Sequence, residues 1–340
     1  MSTIKEIYGI YDPKVVKYKD KMPAINPELV IGLELETENC SNVTYNNIAK
    51  ETNYIVHTDG SLRGVAYEFI SKPMTTENAL AATKDFWNLC KFTDENYTDR
   101  TSLHFHVNCV NLEIEQISSI ALLYTVFEEI LFEFVGKYRD TNIYCVPWNQ
   151  CRNHYNLVQN FLSDSTTLLR GWNKYTALNL LPLTRYGTIE FRQMHGTCNY
   201  EKFSTWVNII GAIFKYTSKV PLKDLITTIN SLNTVSHYEQ FFTEVLSGIL
   251  PYNDTYRQKL EDGVIFGKYT LMEYGKEKKK KAIEDALKLD DVGAFVAGGV
   301  VAGIPPAVII DRVAYNLNDL GQLVRLEETE RQYVDMGVRF

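Results

Sequence analysis

The sequence predicts an α+β fold: a sheet of short strands crossed by one long helix, followed by a mainly helical region. Three observations carry this expectation. Between about residues 25 and 195, short apolar or aromatic runs alternate with Asp-Gly, Asn and Pro turn signals. One long helical pattern interrupts them. Beyond residue 199 helical patterns take over.

Residues 1–24 read as a polar N-terminal arm. The strand-like runs are LVIGLELET (29–37), YIVHT (54–58), VAYEFISK (65–72), LHFHVNCV (103–110), ALNLLPL (177–183) and GTIEFRQM (187–194). The interruption at 112–138 places Ile117, Ile120, Leu123, Phe127, Ile130, Leu131 and Phe134 on one wide stripe, which should pack across the sheet. A second helix is expected from Asn199, a residue type suited to an N-cap. The lysine-rich KEKKKK (276–281) reads as a solvated helix face or loop. The apolar stretch 294–310 is shorter than the roughly 20 residues that span a bilayer and contains Pro305 and Pro306. It reads as a buried hairpin or two short packed helices. No internal repeat is visible.

A chain of 340 residues that is 45% hydrophobic can bury a substantial core in one domain or two. Its formal charge of −7 and pI near 5.5 argue against a general nucleic-acid or membrane-surface binder, which needs a surplus of Lys and Arg on one face, while a local basic pocket remains allowed. The N-terminal stretch lacks the apolar centre of a leader peptide, and the six cysteines show no short zinc spacing. These features predict a reduced, cytoplasmic protein, with a homo-oligomer left open.

The chemistry is carried by acids at two-residue spacing. In a strand, Glu34 and Glu36 share a face roughly 6.6 Å apart. At an effective dielectric of about 20 they repel by roughly 2.5 kcal/mol unless water or a cation intervenes. Glu68 adds a further acid. His104, His106 and Asn108 share one face of their run while Leu103, Phe105 and Val107 share the other, a pattern that suits metal ligation, phosphate binding or a plain polar face. In the last run Thr188, Glu190, Arg192 and Met194 share a face opposite Ile189 and Phe191. If these faces converge, about three negative charges stay unbalanced, and a concave pocket tolerates them only with cations. Oxygen-rich ligation favours Mg2+ or Mn2+ over zinc. Magnesium usually arrives with phosphates, so a nucleotide is the expected second occupant. With no glycine-rich phosphate loop in the sequence, metals and the sheet would have to hold it.

The ordered motifs GLELE, DGS followed by YEF, LHFHVN, RDTNIYC, KYTALNL and TIEFR resemble the amidoligase family. That family belongs to the carboxylate-amine ligase superfamily with glutamine synthetase and glutamate-cysteine ligase. The resemblance spans about residues 30–197. It implies an antiparallel sheet curved into an open half-barrel, with Mg-ATP entering one end and a carboxylate substrate the other. A catalytic domain is expected at 25–215; the resemblance does not reach the C-terminal region, 216–340, which its own sequence patterns predict to be mainly helical. By the resemblance, Glu34, Glu36, Glu68, His104 and Glu190 are metal ligands, His106 and Arg192 contact phosphates, and Lys174 and Asn179 contact substrate or phosphate. Asn108 stands where related chains carry a small hydroxyl residue.

The implied reaction joins a carboxylate and an amine, such as those of amino acids or peptides, through an acyl phosphate. The general base is open: Asp59, in HTDGS, is a candidate beside its reading as a turn residue. Tyr144, Trp148 and Arg152 could line the acceptor pocket, and Cys145 and Cys151 are expected as thiols. Three other readings remain: a guanidino-type phosphotransferase on a related sheet, a zinc hydrolase built on the histidines, and a non-catalytic binding or assembly module.

Overall fold

The computed structural model describes residues 2–40, 52–151, 172–287, 295–297, 307–310, 313–317 and 323–325, with side chains to residue 272 except that of residue 137. The chain divides into two units, Met1–Lys268 and Tyr269–Phe340.

The first unit opens on a short helix, α1 (Ile4–Tyr8), whose Thr3 and Glu6 form a capping box. The arm that follows is laid against the body rather than free. Ile4 is fully buried, Ile4 N–H donates to Leu112 O at 2.9 Å, and Tyr18 Oη donates to Asp85 at 2.7 Å. Then come β1 (Val30–Thr37), β2 (Tyr54–His57), β3 (Tyr67–Ser71) and β4 (Met74–Thr75), helix α2 (Thr76–Cys90), β5 (Leu103–Asn108) and the long helix α3 (Ile114–Val135). They are followed by β6 (Leu178–Asn179), the single-turn α4 (Leu183–Tyr186) and β7 (Thr188–Phe191). Helices α5 (Tyr200–Thr217), α6 (Leu222–Ser231), α7 (Val235–Leu246) and α8 (Asp254–Leu287) complete the series. The expected start of α5 holds, since Asn199 Oδ1 accepts from Lys202 N–H at 3.0 Å.

The seven strands form one antiparallel sheet in the order β2-β3-β1-β5-β7-β6, with β4 on the end of β1. The α+β class and the antiparallel sheet stand. The sheet is open and uncurled rather than curved into a half-barrel, with β2 and β6 as its edges among the described residues. Two runs also make less strand than expected. The 177–183 run yields only Leu178–Asn179, because Pro182 has no N–H for a ladder and instead begins α4. The 187–194 run is regular strand only from Thr188 to Phe191.

One sheet face is apolar: Ile31, Leu33, Phe69, Leu103, Phe105, Val107, Ile189 and Phe191 are all buried. The helices cover it through aromatic contacts, Phe69 on Phe86 of α2 and Phe191 on Tyr124 of α3 and Phe214 of α5. Trp87 on Phe203 and Phe134 on Trp206 lock α2 and α3 to α5. Covering one face leaves the other for chemistry.

The second unit continues α8 and adds four short strands, β8 (Phe295–Ala297), β9 (Ala307–Ile310), β10 (Val313–Leu317) and β11 (Leu323–Arg325), in a separate antiparallel sheet. The 294–310 stretch therefore supplies two antiparallel strands rather than packed helices; residues 294 and 298–306 lie outside those described. KEKKKK falls within α8, with side chains outside the description. Among the described residues, no helix is long and apolar enough to cross a membrane.

Candidate active site

Strict alternation along β1 sends Ile31, Leu33 and Leu35 into the core and turns Gly32, Glu34 and Glu36 to the opposite face. The register then assembles the site. Glu36 sits opposite Glu68 of β3, and Glu34 opposite His104 of β5. His106 sits opposite Glu190 of β7, which in turn faces Asn179 of β6.

Two chambers share this face. A polar one of about 360 Å3 is lined by Glu34, Glu36, Asp59, Glu68, Lys174 and Arg192, among others. A more apolar one of about 490 Å3 is lined by Tyr11, Pro13, Gly32, Ile70, His106 and Tyr186, among others. Glu34 lines both and so stands on the boundary.

Within the face the acids form two groups. One oxygen or nitrogen each from Glu34, His106 and Glu190 lie within 4.8 Å of one another, and so do oxygens of Glu36, Asp59 and Glu68. His104 stands between the groups. Its Nδ1 is 3.0 Å from Glu34 and 3.5 Å from Glu190, and its Nε2 is 3.9 Å from Glu36. His106 Nδ1 is fixed at 3.0 Å by the Thr188 hydroxyl. Its Nε2 is buried, 3.3 Å from Glu34 and 4.0 Å from Glu190, without a hydrogen bond of good geometry. A buried nitrogen facing two carboxylates without bonding either suits a ligand atom turned toward a common centre. The donor set thus fits divalent cations, with one all-carboxylate site and one of two carboxylates and an imidazole.

Electrostatics agree with this fit. Burial and the charges of Glu34, Glu36 and Asp59 push the Glu68 carboxyl up to about 8. Burial also works to raise Glu34, but the hydrogen bond from His104 and the close His106 imidazole outweigh it and hold Glu34 well below the usual carboxylate range. Burial disfavours the His106 cation, yet Glu34 and Glu190 raise its pKa all the same. On the polar side, Arg192 contacts Glu190, and Lys174 lies 4.8 Å from the Tyr175 ring centre at the rim. Glu36 is pinned by the backbone N–H (2.7 Å) and hydroxyl (2.5 Å) of Ser102.

The sequence-predicted residues therefore meet on one face, with differences of place. Asp59 is a turn residue, accepting Ser61 N–H at 2.6 Å, and one of its oxygens also joins the Glu36–Glu68 group. Asn179 is buried and donates to Glu190 at 2.7 Å, so it orients that acid from behind. Tyr144 lines the polar chamber, but Trp148 does not belong to an acceptor pocket. It is 2% exposed, with its indole N–H on Leu178 O at 2.8 Å, because so large an apolar ring gains more in the core. Cys145 and Cys151 are free thiols, and Arg152 lies outside the described residues.

Residues not foreseen are Arg100, Ser102 and, in the apolar chamber, Tyr11 and Tyr186. Glu38 carried a visible signal, as the third acid at the same spacing, but it serves Arg100 instead. Arg100 grips it with Nε at 3.0 Å and Nη2 at 2.8 Å, and Thr98 and the Arg63 N–H complete its shell.

A search among curated proteins finds no match to this chain. A family pattern described as "Putative amidoligase enzyme" matches residues 36–214, more than half of the 340-residue chain and every site residue above except Gly32, Glu34 and the arm. The chain thus belongs to the putative amidoligase enzyme family.

Proposed function

We propose that this amidoligase family member is an ATP-dependent carboxylate-amine ligase that forms an amide bond through an acyl phosphate. The observation that carries the reading is the boundary position of Glu34, grouped with His106 and Glu190. They are ready for a cation, with an apolar chamber on one side and a chamber bearing Arg192 and Lys174 on the other. The apolar chamber suits a nucleoside, whose base would rest among Tyr11, Ile70 and Tyr186. The triphosphate would then reach the boundary, and the carboxylate substrate would occupy the polar chamber.

Cations, Mg2+ or Mn2+, held by Glu34, His106 and Glu190 and by Glu36, Asp59 and Glu68 would neutralise the phosphoryl oxygens. The protein's own part is placement. Arg192 faces the transferring group, His104 keeps Glu34 ionised and oriented, and Asn179 and Arg192 hold Glu190. A substrate carboxylate oxygen attacks the γ-phosphorus and displaces ADP. The amine nitrogen then attacks the acyl carbon, expels inorganic phosphate and loses a proton.

The test is ADP release by the full chain with Mg-ATP and pools of amino acids, polyamines and peptides, followed by product analysis. Amide product with free phosphate supports the ligase. Phosphate left on the acceptor would make the chain a phosphotransferase, and no turnover or Mg-ATP binding would leave a non-catalytic module. Glu34→Ala and Glu190→Ala are each expected to lower turnover at least about a hundredfold while the protein stays folded; wild-type rates in both would remove the metal assignment.

A further inference from the structure

Arg192 is held at almost every polar atom. Its N–H donates to Ala177 O at 2.8 Å, its Nε to Tyr144 O at 3.2 Å, and its Nη1 contacts Glu190. Its own carbonyl accepts from Nη2 of Arg139 at 3.0 Å, and the next carbonyl, that of Gln193, accepts from Nε of Arg139 at 3.0 Å. Only Nη2 of Arg192 has no hydrogen bond among the described residues.

Arg139 is itself unusual. It is 1% exposed and, among the described residues, forms no ion pair with a carboxylate. Burying a guanidinium without an anion costs several kcal/mol, which two neutral carbonyls offset only in part. An apolar side chain would fill a purely structural position at less expense. The local chain is built around it. Gly136, at φ +119°, ends α3 and leads into the short turn Lys137–Thr141 that carries Arg139. Asn142 Oδ1 then accepts from Tyr144 N–H at 2.8 Å, and Val146 N–H donates to Tyr175 O at 2.7 Å. Residues 139–146 thereby form a bracket, with Arg139 on the Arg192 carbonyl side and Tyr144 on its guanidinium side.

We propose that Arg139 is a positioning residue: by clamping the carbonyls of residues 192 and 193 it fixes the Arg192 guanidinium so that its free Nη2 meets the terminal phosphoryl group of a nucleoside triphosphate. The inference rests on the ligase reading above, and its test separates the two. Mg-ATP and Mg-ADP affinities of the full chain are measured by calorimetry for the wild type, Arg192→Gln, Arg139→Lys and the double variant, together with thermal midpoints. Arg139→Lys keeps the charge and loses the two-pronged grip. It is expected to lower the ATP-to-ADP affinity ratio by about tenfold, and the double variant should be no worse than Arg192→Gln alone.

An unchanged ratio in Arg139→Lys, or a loss that adds in full to that of Arg192→Gln, overturns the positioning role. A purely structural arginine would lower the midpoint and both affinities together and leave the ratio alone. If Arg139→Lys does not fold, Arg139→Gln, which keeps one carbonyl donor, replaces it; unfolding of both assigns Arg139 to the fold and rejects the proposal. A wild type that binds ATP no better than ADP, or an Arg192→Gln variant with the wild-type ratio, refutes the phosphoryl site itself.

Discussion

Single residues here are governed by what a neighbour does for their charge. Glu128 of α3 shows this away from the active site. It is fully buried and accepts hydrogen bonds from Trp148 N–H (2.8 Å), Tyr124 Oη (2.8 Å) and Asn149 N–H (3.3 Å). Burial nevertheless wins and pushes its carboxyl up to about 7. The native state thus keeps a proton that the unfolded chain releases above about pH 4.5. Stability should fall as pH rises from there to about 7 and then level off, by at most about 3 kcal/mol for this group. Denaturant titrations between pH 5 and 8 should show a shallower slope in Glu128→Gln than in the wild type; equal slopes would mean that Glu128 is ionised in the native state. At this scale the sequence was legible wherever spacing alone sets direction. Glu34 and Glu36, His104 and His106, and Glu190 all follow from alternation. Partnership was not legible: nothing in the spacing shows that Glu38 serves Arg100, or that Asn179 stands behind Glu190.

Among elements, β7 has the most to align, because Glu190 lies within it and Arg192 just past its end. Its start is fixed by Gly187, at φ +65°, where a Cβ would come within 2.3 Å of the Val110 side chain. Gly187→Ala combines left-handed strain with a steric clash, so a loss of about 2–4 kcal/mol is expected. A variant within 1 kcal/mol of the wild type in urea unfolding would show that this turn can relax. The elements also explain where sequence reading stopped. Long α3 and buried β5 are written in periodicity, which is a local property. The brevity of β6 depends on Pro182, and the placing of the arm on tertiary contacts such as Ile4 N–H to Leu112 O. Tyr11 therefore lines a chamber that no pattern near it announces.

For the whole molecule, a formal charge of −7 is unevenly felt, since five carboxylates crowd one sheet face. Relief of that crowding should register as global stability. Millimolar Mg2+ added to chelator-stripped protein is expected to stabilise the fold by about 2–3 kcal/mol at a hundredfold excess over the dissociation constant. The gain should shrink in Glu36→Gln and Glu68→Gln, and a wild type whose midpoint ignores Mg2+ would contradict the cation reading. On the cation reading, the two acid groups should also respond differently to ion size. Glu34, His106 and Glu190 hang from three strands laced into one ladder, so their spacing is dictated by hydrogen-bonded backbone and resists dilation. Asp59 reaches its group from a turn beyond β2, and a turn yields where a ladder does not. A bulkier ion such as Ca2+ should accordingly lodge at the yielding pocket and be refused at the stiff one, making the molecule a sizing gauge with one fixed jaw and one sliding jaw.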